Sequence, residues 1–299
     1  MSRYLNPTND VSFRKLFGTE EHKPLLISFL NSILGLKEDR KIKEVMLLPK
    51  EQAPLIQEAK STILDIKCTD QRNFQYIVEM QNKSVPGFIK RTQFYVAHSY
   101  VTQFPAGSDY LDLRPVILLA MANYVLFPSK KRVVSYHKTL DTETLSNDLQ
   151  EMSYVFVELP KFDKQLTELE TVKDQWLYFF KNWSETQEMP SHAAAEIAEA
   201  YRSMEEYNWS QVEREAYIKA NIALTDEFDA RRQERQEGRE EGRQEGIALG
   251  EEKGREEGIA LGEEKGKHKI ALEMLSRDMD LALISQLTGL NRQALEKLR

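Results

Sequence analysis

Two short runs, Ile63-Leu64-Asp65-Ile66-Lys67 and Tyr76-Ile77-Val78-Glu79-Met80-Gln81, decide the fold. Both are rich in Ile and Val, and this pattern predicts two β-strands separated by a polar turn at residues 69–73. Each strand carries one carboxylate, Asp65 or Glu79, between apolar neighbours. Because an unpaired charge on a core strand is costly to bury, each of these carboxylates needs a partner.

The two carboxylates favour a divalent metal site. If the strands form a hairpin, Asp65 and Glu79 reach the same edge of the sheet, where they repel each other unless a cation lies between them. Carboxylate oxygens suit Mg²⁺, with water and a substrate phosphate completing the coordination. A structural ion pair with Lys67 or Arg91 is the alternative, since the D…ExQ pattern by itself matches many proteins by chance.

The segments around this pair predict an α/β fold. Helical periodicity covers residues 8–34 and 88–104 and returns around 176–183 and 193–208. Further strands are predicted at residues 43–48, 114–127, 133–137 and 154–159. This order of elements predicts a mixed central sheet flanked by helices.

Composition narrows the class of protein. The net charge of -7 argues against non-specific coating of DNA, although it allows a local basic groove. The single cysteine, Cys68, excludes an intrachain disulfide and a cysteine-rich zinc site, and it favours a reducing, cytoplasmic setting. No signal peptide, membrane-spanning segment or phosphate-binding glycine loop is evident, and the five histidines lack ligand spacing. We therefore expect a soluble cytoplasmic protein without a membrane partner or a small-molecule cofactor.

The composition changes sharply near Gly238. From there to Gly266 a glycine recurs at every fourth position, and residues 245–254 repeat unchanged as 257–266. Charges three and four residues apart favour a helix, whereas each glycine costs about 1 kcal/mol relative to alanine. The tract is therefore either a long charged helix or a flexible spacer, with weak self-association as a further possibility.

The last thirty residues predict a trio of short helices. Residues 284–288 lead through Gly289 to a second helix that begins at a capping Asn291, which is the outline of a helix-turn-helix. A small packing or dimerisation unit fits the same pattern. Both interpretations stay open.

The order of these features resembles a known family. An Asp on one strand, a Glu two residues before a polar side chain on the next, and a helix that starts with Lys90 and Arg91 are similar to the PD-(D/E)XK nuclease fold. Residues 9–18 (NDVSFRKLFG), the two acidic strands, the Arg91 helix, the glycine tetrads and residues 284–298 together resemble the recombination-promoting nuclease (Rpn) or putative transposase family. The resemblance extends over nearly the whole chain.

This resemblance implies a restriction-endonuclease-like core and a divalent-metal-dependent DNA endonuclease linked to recombination or mobile elements. It implies that Asp65 and Glu79 bind Mg²⁺ (or Mn²⁺ or Ca²⁺), with the Met80 carbonyl as a third ligand. Gln81 stands where the wider fold usually has a lysine that orients water and neutralises charge. Glutamine can orient water but brings no charge, which leaves that task to the metal and to cations such as Lys67.

Further residues complete the expected site. Asp10 on the first helix is a candidate additional acid, with an N-terminal cap or first-turn acid as the alternative. Lys83, Lys90 and Arg91 are candidate phosphate contacts, as is the later cluster at residues 130–132. Ordinary solvated surface charge is the alternative for each of these cations.

Three parts are expected along the chain: a nuclease domain at residues 1–210, a charged glycine-tetrad helix or linker at 211–267, and a small helical module at 268–299. DNA is the expected partner. A homo-oligomer, most simply a dimer, is also expected, since two active sites suit the cutting of both strands. The alternative is a catalytically silent protein that keeps the nuclease fold, binds DNA or protein, and assembles through its C-terminal tail.

Overall fold

A computed structural model describes residues 3–52, 62–104, 107 and 109–298. The chain forms two compact units, Met1–Ala223 and Leu224–Arg299. The first unit contains the sheet and both acidic residues of the quoted strands. None of the described helices is both long enough and apolar enough to cross a membrane.

Eight strands are present in the described part of the first unit. In chain order they are β1 (Val45–Leu47), β2 (Glu51–Gln52), β3 (Thr62–Ile63), β4 (Ile66–Asp70), β5 (Gln75–Gln81), β6 (Val116–Ala122), β7 (Val134–Lys138) and β8 (Met152–Glu158). Six of them form one sheet in the order β1-β4-β5-β6-β8-β7, and β2 pairs with β3 separately. Strands β5, β6 and β8 run parallel, and the outer pairs are antiparallel. The predicted mixed sheet is confirmed.

Helices cover both faces of this sheet. The first unit contains α1 (Asp10–Phe17), α2 (Lys23–Leu34), α3 (Phe88–Val101), α4 (Val172–Asn182) and α5 (Ala195–Ser203). On one face, strand residues such as Val78 pack with the apolar sides of α1, α2, α4 and α5. On the other face, Ile77 and Leu118 pack with Val96 of α3. The alternation of Ile77 and Val78 thus separates two cores, one on each side of the sheet.

Local sequence signals fix the first helix. Helix α1 begins because the Asn9 side chain accepts a hydrogen bond from the Val11 N–H, and it ends at Gly18. Its Phe17 ring stacks on Phe29 at 4.8 Å between centroids and lies 5.7 Å from Trp176. This aromatic packing holds α1 beside the sheet and thereby sets the position of the residues on its outer side.

The predicted hairpin is present, but its two ends differ from the prediction. Thr69 and Asp70 belong to β4, so the turn starts later than expected. At the other end, Asp65 lies in a bend between β3 and β4 rather than inside a strand. The bend forms because the Asp65 N–H donates to the Glu79 side chain instead of to a strand carbonyl.

A long helix, α6 (Gln211–Ser276), contains the whole glycine-tetrad tract and is 66 residues long. Its first turns belong to the first unit, where Lys15 pairs with Glu213 at 2.5 Å and the Asn6 N–H donates to the Tyr217 hydroxyl at 2.9 Å. Side chains are exposed along the tract, and no described atom outside the helix lies within 4 Å of the Cβ position of any tract glycine.

The tail contains two short helices rather than three. Helices α7 (Leu281–Thr288) and α8 (Arg292–Leu298) pack with the end of α6 through Ala271, Ile284 and Leu295. The expected third helix is the end of α6 itself. Gly289 adopts φ 73°, and Asn291 Oδ1 accepts a hydrogen bond from the Ala294 N–H at 2.8 Å. The division of the chain at residues 210 and 267 stays a prediction.

Candidate active site at Asp65 and Glu79

The hairpin register brings the two acidic residues together. Ile66 pairs with Val78, and this places Asp65 opposite Glu79. The Asp65 N–H donates to Glu79 Oε1 at 3.1 Å, and the Met80 N–H donates to Asp65 Oδ2 at 3.0 Å. Each carboxylate is therefore held by a backbone N–H of the opposite strand.

The two carboxylates are largely shielded from solvent and act on each other electrostatically. Glu79 is only 6% exposed, and the Asp65 side chain is 13% exposed. Burial, followed by the Asp65 charge, raises the pKa of Glu79 to about 8, although Arg91 and Arg14 offset part of the rise. An opposite charge beside this buried glutamate and half-buried aspartate would lower the cost of ionising both groups.

Helix α1 supplies a third acid and a cation. Arg14 Nη2 lies 3.4 Å from Asp65 Oδ1. Asp10 is the first residue of α1, and it is Asn9 that caps the helix. Although Asp10 reaches solvent, the surrounding protein and the Asp65 carboxylate raise its pKa, while Arg14 lowers it. Asp10 therefore lies within the electrostatic field of the pair.

Gln81 and Arg91 are bound to each other. Arg91 Nη2 donates to Gln81 Oε1 at 2.6 Å, and Gln81 Nε2 donates to the Lys83 carbonyl at 2.9 Å. The guanidinium of Arg91 lies 5.2 Å from the Phe88 ring centroid and lowers the pKa of Glu79. Arg91 thus brings to this end of β5 the positive charge that Gln81 does not carry.

The remaining predicted residues lie at different distances from the pair. Lys67 pairs with Ile77 in the sheet, burial lowers its pKa, and within the described residues it makes no ion pair. Lys83 is half-buried, and Lys90 is exposed on the first turn of α3. The structure therefore brings Asp65, Glu79, Met80, Gln81 and Arg91 together, with Asp10 near them, and does not bring Lys67 to the carboxylates.

Two cations at the site were missed from the sequence. Arg14 follows Asp10 by four residues, so a helical pattern with both on one side was the available signal. Lys50 had no such signal, because it precedes the two-residue strand β2 and lies in no element with a periodic pattern. The Lys50 carbonyl accepts the Leu64 N–H at 3.0 Å, and burial and Arg14 lower the pKa of its side chain while Asp65 raises it.

Two carboxylates form the set of charged oxygen donors at this site. Glu79 Oε1 accepts the Asp65 N–H, and Asp65 accepts the Met80 N–H and the Arg14 guanidinium. Carboxylate oxygens are suitable ligands, and water or substrate oxygens commonly fill the other positions around Mg²⁺. The described residues contain no group of three or more His, Cys, Asp or Glu side chains that could hold a metal ion. A cation at the pair would therefore depend on further ligands of those other kinds.

Comparison with known proteins places this geometry in a family. A family model described as PD-(D/E)XK nuclease family transposase matches residues 7–233. No curated protein and no solved structure shows a significant match. The matched range includes the six-stranded sheet, Asp10, Asp65, Glu79 and Gln81. Since the match covers more than half of the chain, the protein belongs to the PD-(D/E)XK nuclease family of transposases.

Proposed function

We propose that the protein is a divalent-metal-dependent DNA endonuclease that hydrolyses phosphodiester bonds at Asp65 and Glu79. Its family supports a nuclease linked to mobile elements, and a role in DNA recombination is part of the proposal. The observation that carries it is the pair of carboxylates, Glu79 buried and Asp65 half-buried, held across the hairpin by the N–H groups of Asp65 and Met80.

Asp65 and Glu79 would hold the metal, which we propose to be Mg²⁺, Mn²⁺ or Ca²⁺, and the Met80 carbonyl is the proposed third ligand. When bound, such an ion lowers the pKa of a coordinated water and stabilises negative charge on the phosphate. Glu79 serves this site as a carboxylate and must therefore lose the proton that its raised pKa favours. Asp10, on the neighbouring helix, is the additional acid of the proposed site.

Gln81 and the nearby arginines would share the task of the missing lysine. Gln81 Oε1 accepts from Arg91 and has a second lone pair, which can accept a hydrogen bond from a water molecule. Arg91 and Arg14 lie beside the carboxylates and provide fixed positive charge for the scissile phosphate. Lys83 and Lys90 are the proposed contacts to neighbouring phosphates. Lys67 is the weakest candidate for a catalytic cation, because burial lowers the pKa of its ammonium group.

We also propose that copies of the protein associate through α6. The tract exposes two apolar pairs, Ile247 with Leu249 and Ile259 with Leu261, and each of these four side chains is at least half exposed. These pairs accompany a row of glycines with open space beside them, which permits close approach of another helix. Self-association of this kind would bring two nuclease units to one DNA duplex.

A second candidate function is a catalytically silent nuclease-fold protein that binds DNA or protein. One observation favours it: both polar atoms of the Gln81 amide are already engaged, by Arg91 and by the Lys83 carbonyl. In this version the Arg91–Gln81 pair is structural. The site then binds its partner without cutting.

Nicking of supercoiled plasmid tests the proposal. The purified full chain is assayed with Mg²⁺, Mn²⁺ or chelator, beside Asp65→Ala, Glu79→Ala and the exposed control Asp163→Ala. We expect metal-dependent nicking that falls by about a hundredfold or more in the two site variants and is unchanged in the control. Nicking that survives both site substitutions would place the chemistry elsewhere. Absence of cleavage with every metal would favour the silent protein.

A further inference from the structure

A cavity lies at the opposite end of the sheet from the carboxylates. It has a volume of about 560 Å³ and is formed by the starts of β5, β6 and β8, the end of β7 and the segment after α2. We call it the basic pocket and define it by Lys37, Arg40, Phe74, Arg114, Tyr136 and Lys138. Gln75 at this end of β5 precedes Glu79 by four residues, which is about 13 Å along a strand.

Positive charge dominates the lining of the basic pocket. Lys37, Arg114 and Lys138 make no ion pair with any described residue, and Arg40 reaches only the exposed Asp39 at 3.9 Å. Arg72 also lines the cavity, but Asp70 neutralises it at 2.5 Å. In a chain with a net charge of -7, three cations without an ion pair among the described residues and a fourth held only by an exposed carboxylate indicate an anionic ligand at this cavity.

Aromatic rings form the walls between these cations. Phe74 is half-buried beneath the Arg72 guanidinium, at 4.6 Å from its ring centroid. Tyr136 is 49% exposed, and its hydroxyl donates to the Ile33 carbonyl at 2.7 Å, which holds the ring in place. Tyr154 lines the same cavity. Rings of this kind, placed beside cations, provide stacking surfaces for a planar base.

A single acidic side chain distinguishes the ligand from a simple anion. Glu151 lines the cavity, and its Oε2 is shielded from solvent without a hydrogen-bond partner among the described residues. A carboxylate oxygen repels phosphate but accepts hydrogen bonds from amino or hydroxyl groups. A ligand that binds both Glu151 and the cations must therefore carry hydrogen-bond donors that are separated from its negative charge.

We propose that the basic pocket binds a nucleotide. Its phosphate lies against Lys37, Arg40, Arg114 and Lys138, its base stacks on the aromatic walls, and a base amino or sugar hydroxyl group donates to Glu151. The volume is within the range of about 300–1,000 Å³ that small-molecule sites occupy. A free nucleotide and one unit of a DNA strand present the same chemistry. This site is separate from the carboxylate pair and goes beyond the proposed nuclease activity.

Calorimetric titration of the full chain tests this proposal, with dAMP, dATP and 5′-phosphorylated decathymidylate as the probes and EDTA present to remove divalent metal. The variant Arg114→Glu/Lys138→Glu changes two exposed cations of the basic pocket, and Lys37→Glu/Arg40→Glu changes the other two. Lys219→Glu/Arg235→Glu makes the same change of charge at exposed positions outside it. Asp65→Ala reports on the carboxylate site.

We expect each pocket variant to weaken binding by about tenfold or more, while the control pair and Asp65→Ala stay within about twofold of the wild type. Binding of dAMP or dATP would identify a free nucleotide as the ligand, and binding of the oligonucleotide alone would identify a strand. Two results would overturn the proposal: no binding of any probe, or equal weakening by the pocket and control variants. Nicking activity can fail without affecting this test, because the titration contains no metal.

Discussion

Replacing Glu79 with Gln removes a buried titratable group while keeping the shape of the side chain. In the folded protein, burial and Asp65 raise the pKa of this carboxyl from its ordinary value of 4.5 to about 8. The folded state therefore holds a proton at pH values where the unfolded chain has released it. By linkage, the free energy of unfolding of the metal-free protein falls as pH rises through this window. The stabilisation is complete below about pH 4.5 and is lost near pH 8.

The size of the effect follows from one titrating group. A single proton changes the free energy of unfolding by at most about 1.4 kcal/mol per pH unit. Because Glu79 is only 6% exposed, solvent screens little of this effect, and we expect a slope of about 1 kcal/mol per pH unit between roughly pH 5 and 7.5. In Glu79→Gln that contribution disappears, so its stability is flatter over the same range.

Urea unfolding at several pH values, with a chelator present, measures how the free energy of unfolding changes with pH in the wild type and in Glu79→Gln. All three tryptophans of the chain (Trp176, Trp183 and Trp209) lie in the first unit, so their fluorescence reports on the unit that contains the site. The exposed substitution Glu44→Gln serves as the control and keeps the wild-type slope. Parallel pH profiles for the wild type and Glu79→Gln would refute the assignment of a raised pKa to this residue.

Three further predictions concern the rest of the chain. Burial raises the pKa of Cys68 to about 12, so the folded protein at pH 8 should not react with a thiol reagent that labels it fully after denaturation. Asp70→Ala should lower the free energy of unfolding by about 3–5 kcal/mol, since the fully buried carboxylate pairs with Arg72, and Asp70→Asn should cost less. Gly250→Ala with Gly254→Ala should raise the temperature at which the helical circular dichroism signal is lost, because each replacement favours the helix by about 1 kcal/mol and meets no neighbouring atom; an unchanged or lowered melting temperature would contradict a helical tract.

Local patterns predicted most of the sheet. Strand β6, for example, lies inside the predicted segment 114–127. A short apolar run bounded by polar residues is typical of a strand that is buried on both faces of a sheet. The proximity of Asp65 and Glu79 was predicted for the same reason, since a short turn forces two adjacent strands to pair. The sequence therefore contained the centre of the candidate site.

Other features depend on contacts between distant residues. The bend at Asp65 arises from hydrogen bonds to Glu79 and Met80, which no local propensity encodes. Arg14 and Lys50 reach the site from separate elements, so neither has a spacing motif with the carboxylates. The basic pocket likewise depends on contacts between distant residues, since its four cations come from three separate segments of the chain.

The glycine tract shows the limit of local rules. Its charge spacing favours a helix, whereas its glycines oppose one by similar amounts. The sequence alone therefore does not decide between a helix and a flexible spacer. The tract lies within α6, which is continuous from residues that pack on the first unit to residues that pack with α7 and α8. Packing at both ends favours the helix where propensity alone does not decide.

Titration with Mn²⁺, followed by the paramagnetic resonance signal of the free ion, tests most directly whether Asp65 and Glu79 form a metal site. We expect saturable binding by the wild type, binding that strengthens from pH 6 to pH 8 as Glu79 loses its proton, and loss of binding in Asp65→Ala. The exposed control Asp163→Ala should bind as the wild type does. Equal binding by Asp65→Ala and the wild type, or no binding by the wild type at pH 8, would contradict the central claim.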